Sequence, residues 1–377
     1  MQIAYEPARF LKIIAFLSAT GACIPDLTLK ADTTGGGGSS SGACVARPMA
    51  EWRFNSEFQE GLGGTLTDLD GDGFGDAAIS NELSNNTQVY WGAESYANVV
   101  QATPRPTTRP RGQVAAAKLT QNQGARLDLV VPSVLGVGLT ILRQTSPRVW
   151  IASWIDQKNQ GQVVVADVNE DGFNDLLIKT SKCYWLRPGD GKGGFPGAGD
   201  CYTGINADAD VQAGDMDGDG VPELVIHSAD TSLGDTPLAD TWTIAKPTAK
   251  GTVPRNSIAL GLLANYKVGF WTVSDIDGDG KSEVVVLANS PEGTPSPPAE
   301  ASFLVTHSGS VSSESLAFDK CIPAPFPTNK EGFQPKQDFS LRGVGDVNGD
   351  KKLDLLFVAT CSFCKTVNTF MVSTPGP

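Results

Sequence analysis

Short apolar runs, each bounded by turn-forming residues, recur along most of this chain. Gln162-Val163-Val164-Val165-Ala166 leads into an acidic stretch, and Asp175-Leu176-Leu177-Ile178 leaves it. The second half of that pattern returns at Asp76-Ala77-Ala78-Ile79, Glu223-Leu224-Val225-Ile226, Glu283-Val284-Val285-Val286 and Asp354-Leu355-Leu356-Phe357-Val358. Runs this short, rich in branched side chains and closed by turns, predict strands buried on both faces. The 42 glycines and 24 prolines supply the turns that many short strands need, and an all-β fold is expected.

Between paired runs lies a repeated acidic nonapeptide. The copies start at Asp68, Asp167, Asp215, Asp275 and Asp346. The first reads Asp68-Leu69-Asp70-Gly71-Asp72-Gly73-Phe74-Gly75-Asp76. Side-chain oxygens stand at positions 1, 3, 5 and 9: Asp68, Asp70, Asp72 and Asp76; Asp167, Asn169, Asp171 and Asp175; Asp215, Asp217, Asp219 and Glu223; Asp275, Asp277, Asp279 and Glu283; Asp346, Asn348, Asp350 and Asp354. Several carboxylates converging on one turn repel one another unless a cation neutralises them. Hard cations take six to eight oxygens, and oxygens at alternate positions of one loop wrap such an ion. Glycine at position 6, present in four copies, permits the reversal that returns the last acid to the ion. The carbonyl of position 7 (Phe74, Phe173, Val221, Lys281, Lys352) is the further ligand expected by analogy with the EF-hand loop. Calcium fits better than magnesium, which demands a tighter octahedron. Unlike the EF-hand, the last acid opens a strand, so the ion is expected to clip a strand-to-strand turn at about five sites.

The first interval, from 68 to 167, is about twice the next one, from 167 to 215, which places a further copy between them. Lys118 to Val131 fills that place, keeping Asp128 and its strand while losing the other acids; it is expected to fold without calcium. Six units of roughly 50 residues, each with room for four strands, predict a β-propeller. A seventh unit is the alternative, hidden in the long interval between 275 and 346. The last unit lacks an outer strand before Pro377, and residues 49–55 are expected to supply it and close the ring.

The motif Asp-x-Asp-x-Asp-Gly-x-x-Asp/Glu ahead of an apolar strand resembles the FG-GAP or VCBS repeat of integrin-type propellers. The resemblance covers about residues 60 to 372. The Gly-Ala-Pro element that often follows the strand is replaced here by Ile79-Ser80, Ile178-Lys179 or Ala288-Asn289, which favours the broader bacterial group over integrins proper. Proteins of this kind include adhesins and lectins, so the resemblance implies a binding module for glycan or protein.

Composition narrows the remaining choices. The formal charge is −13, the wrong sign for sequence-independent nucleic-acid binding or for attraction to anionic lipid. Five calcium ions would offset most of it. His227 and His307 are the whole histidine complement; both lie beside apolar strands and read as structural residues. Gly189-x-Gly191-x-Gly193 reads as a hairpin tip, because no helix follows it. Nearly half of the 42 acids belong to the loops, and no nucleophile elbow, histidine cluster or phosphate loop remains. A non-enzymatic binder is therefore expected, with a calcium-dependent polysaccharide lyase or hydrolase as the alternative, and a passive subunit of an envelope assembly as a third reading. Tyr90-Trp91 and Tyr184-Trp185 read as core packing before sugar stacking.

The N-terminus reads separately. Arg9 and Lys12, an apolar stretch from Ile13 to Ala19, and Thr20-Gly21-Ala22-Cys23 have the layout of an export signal over 1–22. Small residues before Cys23 resemble a bacterial lipobox, although Thr20 stands where leucine is usual. Lipidation of Cys23 is expected, with plain secretion as the alternative, followed by a Gly/Ser linker over 23–47 and the propeller over 48–377. The expected location is the cell envelope or surface, the membrane being touched only through the lipid, and the expected state is a monomer. Removing Cys23 from seven cysteines leaves six that can pair. Cys183 and Cys201 flank the glycine-rich tip and are expected to staple a hairpin. Cys361 and Cys364 have redox spacing without the βαβ context such a site needs.

Overall fold

The computed structural model describes residues 50–58, 63–81, 86–92, 99–102, 113–133, 138–155, 161–197, 199–228, 241–259, 267–275, 280–289, 302–306, 315–323, 339–347, 354–359 and 367–373. The expectations for 1–49, including Cys23 and the linker, lie outside these residues, as do those for His307, Cys361 and Cys364. Every element among the described residues is a strand.

The first strand, β1 (Ala50–Phe58), stands apart from its sequence neighbours. Three meanders of four antiparallel strands follow. The first comprises β2 (Gly63–Thr67), β3 (Asp76–Asn81), β4 (Asn86–Trp91) and β5 (Val99–Ala102). The second comprises β6 (Ala115–Ala117), β7 (Asp128–Pro132), β8 (Leu139–Ser146) and β9 (Val149–Ile155). The third comprises β10 (Val163–Ala166), β11 (Asp175–Lys179), β12 (Tyr184–Arg187) and β13 (Asp200–Tyr202). Two further meanders are β14 (Asp210–Gly214), β15 (Glu223–Ser228), β16 (Thr241–Thr248) and β17 (Gly251–Ala259), then β18 (Lys267–Ser274), β19 (Glu283–Asn289), β20 (Ser302–Thr306) and β21 (Ser315–Pro323). The last strands are β22 (Phe339–Gly345), β23 (Asp354–Ala359) and β24 (Val367–Ser373). Here β1 returns as the outer strand, Ala50 opposite Ser373 and Phe54 opposite Thr369. The first and last described strands thus share one sheet.

Strands β2, β6, β10, β14, β18 and β22 touch in that order, and β22 touches β2. This circular succession of inner strands makes the arrangement a propeller, with four separate four-stranded blades among the described residues. One departure from separate blades occurs. The start of β21 and the end of β17 pair in parallel, Ser257 with Ser315 and Ala259 with Ala317, and fuse two meanders into an eight-stranded sheet. Residues Ser315 to Ala317 precede the stretch of β21 that pairs with β20. An overhanging backbone with unspent N–H and C=O groups gains by pairing with the next edge.

Burial on both faces is observed as the apolar runs predict. All five residues of β7 and the first five of β15 are buried. The core lies between neighbouring sheets: Leu69, Val89 and Trp91 of the first meet Leu129, Leu142 and Trp150 of the second. Val164, Leu177 and Tyr184 of the third meet Val211, Leu224 and Ala245 of the next. Each fully buried Val or Leu contributes roughly 1.5–3 kcal/mol. Tyr90 and Trp91 are buried, as is Tyr184, while Trp185 is partly buried against Leu176 and its neighbours. His227 is buried with its ring centroid 4.3 Å from that of Trp242, and Trp242 meets Trp271 edge-on at 5.0 Å. The histidine is a packing residue, as its apolar strand implies.

Candidate metal centres

The acidic loops join inner to second strands, and six hairpins share one register. Position 9 pairs with the residue just before the loop: Asp76 with Thr67, Asp175 with Ala166, Glu223 with Gly214, Glu283 with Ser274, and Asp354 with Gly345. The degenerate copy pairs Asp128 with Ala117, so its loop runs from 118 to 127, two residues longer than the one from 68 to 75. The second sheet thus carries a longer loop in which no acid precedes Asp128.

Within the loop, the position 1 carboxylate organises the turn. Asp68 accepts hydrogen bonds from the amides of Gly71 (2.7 Å), Asp72 (3.2 Å) and Gly73 (2.9 Å). Asp215 repeats the set with Gly218, Asp219 and Gly220. The position 6 amide donates to the position 1 carboxylate in the other loops too, from Gly172 to Asp167 and from Gly280 to Asp275. Glycine there is explained by conformation: Gly73, Gly172, Gly220 and Gly280 all have φ between 84° and 91°, a region that costs a residue with a Cβ roughly 1–2 kcal/mol. Position 5 accepts from position 7, Asp72 from Phe74 and Asp219 from Val221.

The acids at position 9 differ in kind from the others. Asp76 is fully buried, and its two oxygens accept the amides of Leu69 (2.8 Å) and Gly92 (2.7 Å). It therefore ties the loop to the residue that follows the third strand. Asp175 does the same with Val168 and Gly189, and Glu223 accepts from Met216. Asp128 accepts from Gln144, at the matching place near the end of β8. This clasp accounts for the survival of Asp128 where the other acids are gone. Burial raises the Asp76 carboxyl to about 7; the Gly92 and Leu69 amides oppose the rise, and Asp70 and Asp72 add to it. Asp175 is raised to about 6 by the same causes, with Asp171 and Asp167 as its charged neighbours.

Among the described residues, two loops bring three acids together. Asp68, Asp70 and Asp76 each place an oxygen within 4.8 Å of the others, and so do Asp215, Asp217 and Glu223. Oxygens on one calcium lie ~2.3–2.6 Å from it, hence at most ~5 Å apart across it. The donor set is hard and anionic, so these residues fit a hard metal cation. Asp72 and Asp219, at position 5, fall outside both groups, and 167–175, with Asn169 at position 3, forms no such group among the described residues. Asp277, Asp279, Asn348, Asp350 and Lys352 lie outside the described residues, as does the side chain of Asp354.

Neighbouring loops also hold each other. The position 8 amide reaches the preceding loop: Gly75 to the Asp346 carbonyl (2.5 Å), Leu127 to Leu69 (2.9 Å) and Ser282 to Asp215 (2.6 Å). Asn174 uses its side-chain amide on the Lys118 carbonyl (3.0 Å). A Cβ at Gly75 would stand 2.5 Å from the Asp346 oxygen, so only glycine allows that approach. From the β8–β9 turn Arg148 reaches back to the first loop, its Nε 2.6 Å from Asp70 and its Nη2 3.1 Å from Asp72. Its guanidinium lies 4.7 Å from the centre of the Trp91 ring. Repetition in the sequence exposes the apolar position 2 (Leu69, Val168, Met216, Val347), buried beneath each loop; nothing in it exposes Arg148.

Beside the third loop is a polar depression of about 350 Å³ lined by Lys118, Gln121, Asp167, Phe173, Asn174 and Gly191 among others. Its walls are cross-linked. Gln121 donates to the Gly191 carbonyl at 3.0 Å, and Thr120 bridges Lys192. Cys183 and Cys201 form the expected disulfide, joining the start of β12 to β13, the two strands whose connection carries Gly191.

No family model matches the chain, and no curated protein matches it. Solved structures do. An Agrocybe aegerita lectin recognising non-reducing terminal N-acetylglucosamine shares 11% identity over 80% of this chain and 85% of its own, with a TM-score of 0.41. BBS1N, solved in complex with ARL6DN, shares 14% identity over 87% and 97%, with a TM-score of 0.47. The V. cholerae biofilm matrix protein Bap1 shares 12% over 83% of this chain and 56% of its own, with a TM-score of 0.30.

Proposed function

We propose that this chain is a calcium-stabilised propeller of the FG-GAP/VCBS kind that binds glycan or protein at the end of the ring bearing its acidic loops. Six blades are proposed, because six inner strands follow one another around the circle. Asp68, Asp70 and Asp76, and Asp215, Asp217 and Glu223, would hold calcium; bound there, the ion neutralises the converged carboxylates and fixes the turn. Export by the 1–22 segment, anchoring through Cys23, a surface location and a monomeric state belong to the same proposal.

The observation that supports binding most directly is the cross-linked depression between the second and third sheets. Fixed walls reduce the ordering cost of recognition. The partly buried ring of Phe173 offers an apolar face, and Gln121 and Asn174 offer amides, the combination that a sugar's C–H face and hydroxyls require. A glycan array run on the full chain, with product analysis of every hit, tests this. Binding without cleavage, reduced about tenfold or more by Phe173→Ala or Gln121→Ala, is expected for loss of one stacking or hydrogen-bonding group. Cleaved products would establish the lyase or hydrolase reading instead, and binding untouched by both substitutions would remove this depression as the site.

A further inference from the structure

The first acidic loop is already provided with a cation. Every oxygen of its four carboxylates accepts an N–H donor: Asp68 and Asp76 from backbone amides only, Asp70 and Asp72 from one amide each and from Arg148. Arg148 takes Oδ2 of both Asp70 and Asp72, whose Oδ1 atoms accept the amides of Asp72 and Phe74. The side chain of Asp70 is only 4% exposed, so this guanidinium sits in the mouth of the loop.

Arg148 is held there by more than charge. Its amide donates to Gln144 Oε1 (2.8 Å), and Gln144 Nε2 in turn donates to the Leu69 carbonyl (2.8 Å) within the acidic loop. Its backbone has φ 64°, an unfavourable conformation for an arginine. The Trp91 ring backs the guanidinium, and Trp150 stacks on Trp91 with centroids 6.4 Å apart. A planar fork matched to two carboxylates is a function that lysine cannot reproduce.

We propose that Arg148 is a built-in rival of the metal at loop 68–76, so that this loop accepts calcium only when the guanidinium leaves Asp70 and Asp72. The inference rests on the calcium reading above. A divalent ion held by Asp68, Asp70 and Asp76 and a guanidinium seated on Asp70 compete for the same carboxylate, and like charges this close exclude each other. In the resting chain the first loop is then an ion-pair clasp between the first and second sheets, and its calcium affinity is the lowest of the complete loops.

Terbium luminescence tests this, with Trp91 as sensitiser, alongside calcium titration calorimetry of the full chain. Arg148→Gln is expected to tighten metal binding at this loop by about tenfold, the loss of one competing charge pair, and Asp70→Asn in that background removes the gained signal. Arg148→Lys, which keeps the charge and loses the fork, is expected to give a smaller gain; it decides the matter if circular dichroism shows Arg148→Gln unfolded. Isotherms unchanged in both variants, while Asp217→Asn abolishes one calcium site, would overturn the rivalry and leave the calcium reading intact. A chain that binds no calcium with or without Arg148 would overturn both.

Discussion

At the scale of single residues, the loop glycines divide into two kinds. Position 6 is legible in the sequence, because a repeated motif with glycine at that place in four of its five copies implies a left-handed turn, and the φ values agree. Position 4 is less so: Gly71 and Gly218 are also left-handed, whereas the loop from 167 to 175 has Glu170 there at φ 61°. Glu170 is paired with Lys246 at 3.1 Å, but both side chains are substantially exposed, and such a pair contributes about 0–1 kcal/mol. The left-handed penalty for a residue with a Cβ is roughly 1–2 kcal/mol. Glu170→Gly is therefore expected to stabilise the fold by about 0.5–1 kcal/mol, read as a raised urea midpoint with an unchanged slope. A lowered midpoint would mean that the Lys246 pair outweighs the backbone.

Among the elements, the strands were legible for a simple reason: short apolar runs buried on both faces need no long-range information to be recognised. The pairing of β17 with β21 was not, since it depends on where two overhanging strands meet in space. The role of the last loop acid was half legible. Its oxygen and its position identify a ligand, but the amides of Gly92, Gln144 and Gly189 that it engages come 15 or so residues later, around the end of the third strand. Asp128 isolates that role, because its loop has lost the other acids. Asp128→Ala leaves the buried Gln144 amide without its acceptor, and an unmet buried donor costs about 1–3 kcal/mol. The loss is expected to be the same with and without calcium. Asp76→Ala, in a loop with the full ligand set, is expected to lose more stability in calcium than without it. Equal losses for Asp76→Ala in the two conditions would assign Asp76 to the clasp alone.

For the whole molecule, proton and metal compete for the same buried carboxylates, and this sets a pH dependence of opposite sign in the two states. Asp76 and Asp175 have folded values of about 7 and about 6, above the 3.8 of an exposed aspartate. Between the unfolded and folded values the native chain binds more protons, so stability falls as pH rises through this window. In the metal-free chain the contribution is fully present below about pH 4 and is lost by about pH 7. Calcium needs the ionised form, so its stabilisation grows as those protons leave and is weakest at acid pH. The calcium-induced rise in melting temperature is thus expected to be small at about pH 5 and larger at about pH 7.5. Calorimetry of the dialysed chain, with and without added calcium across that range, measures it. A rise of equal size at both ends would separate calcium binding from the buried acids, and would leave the −13 formal charge to be balanced by diffuse screening rather than by ions seated in the loops.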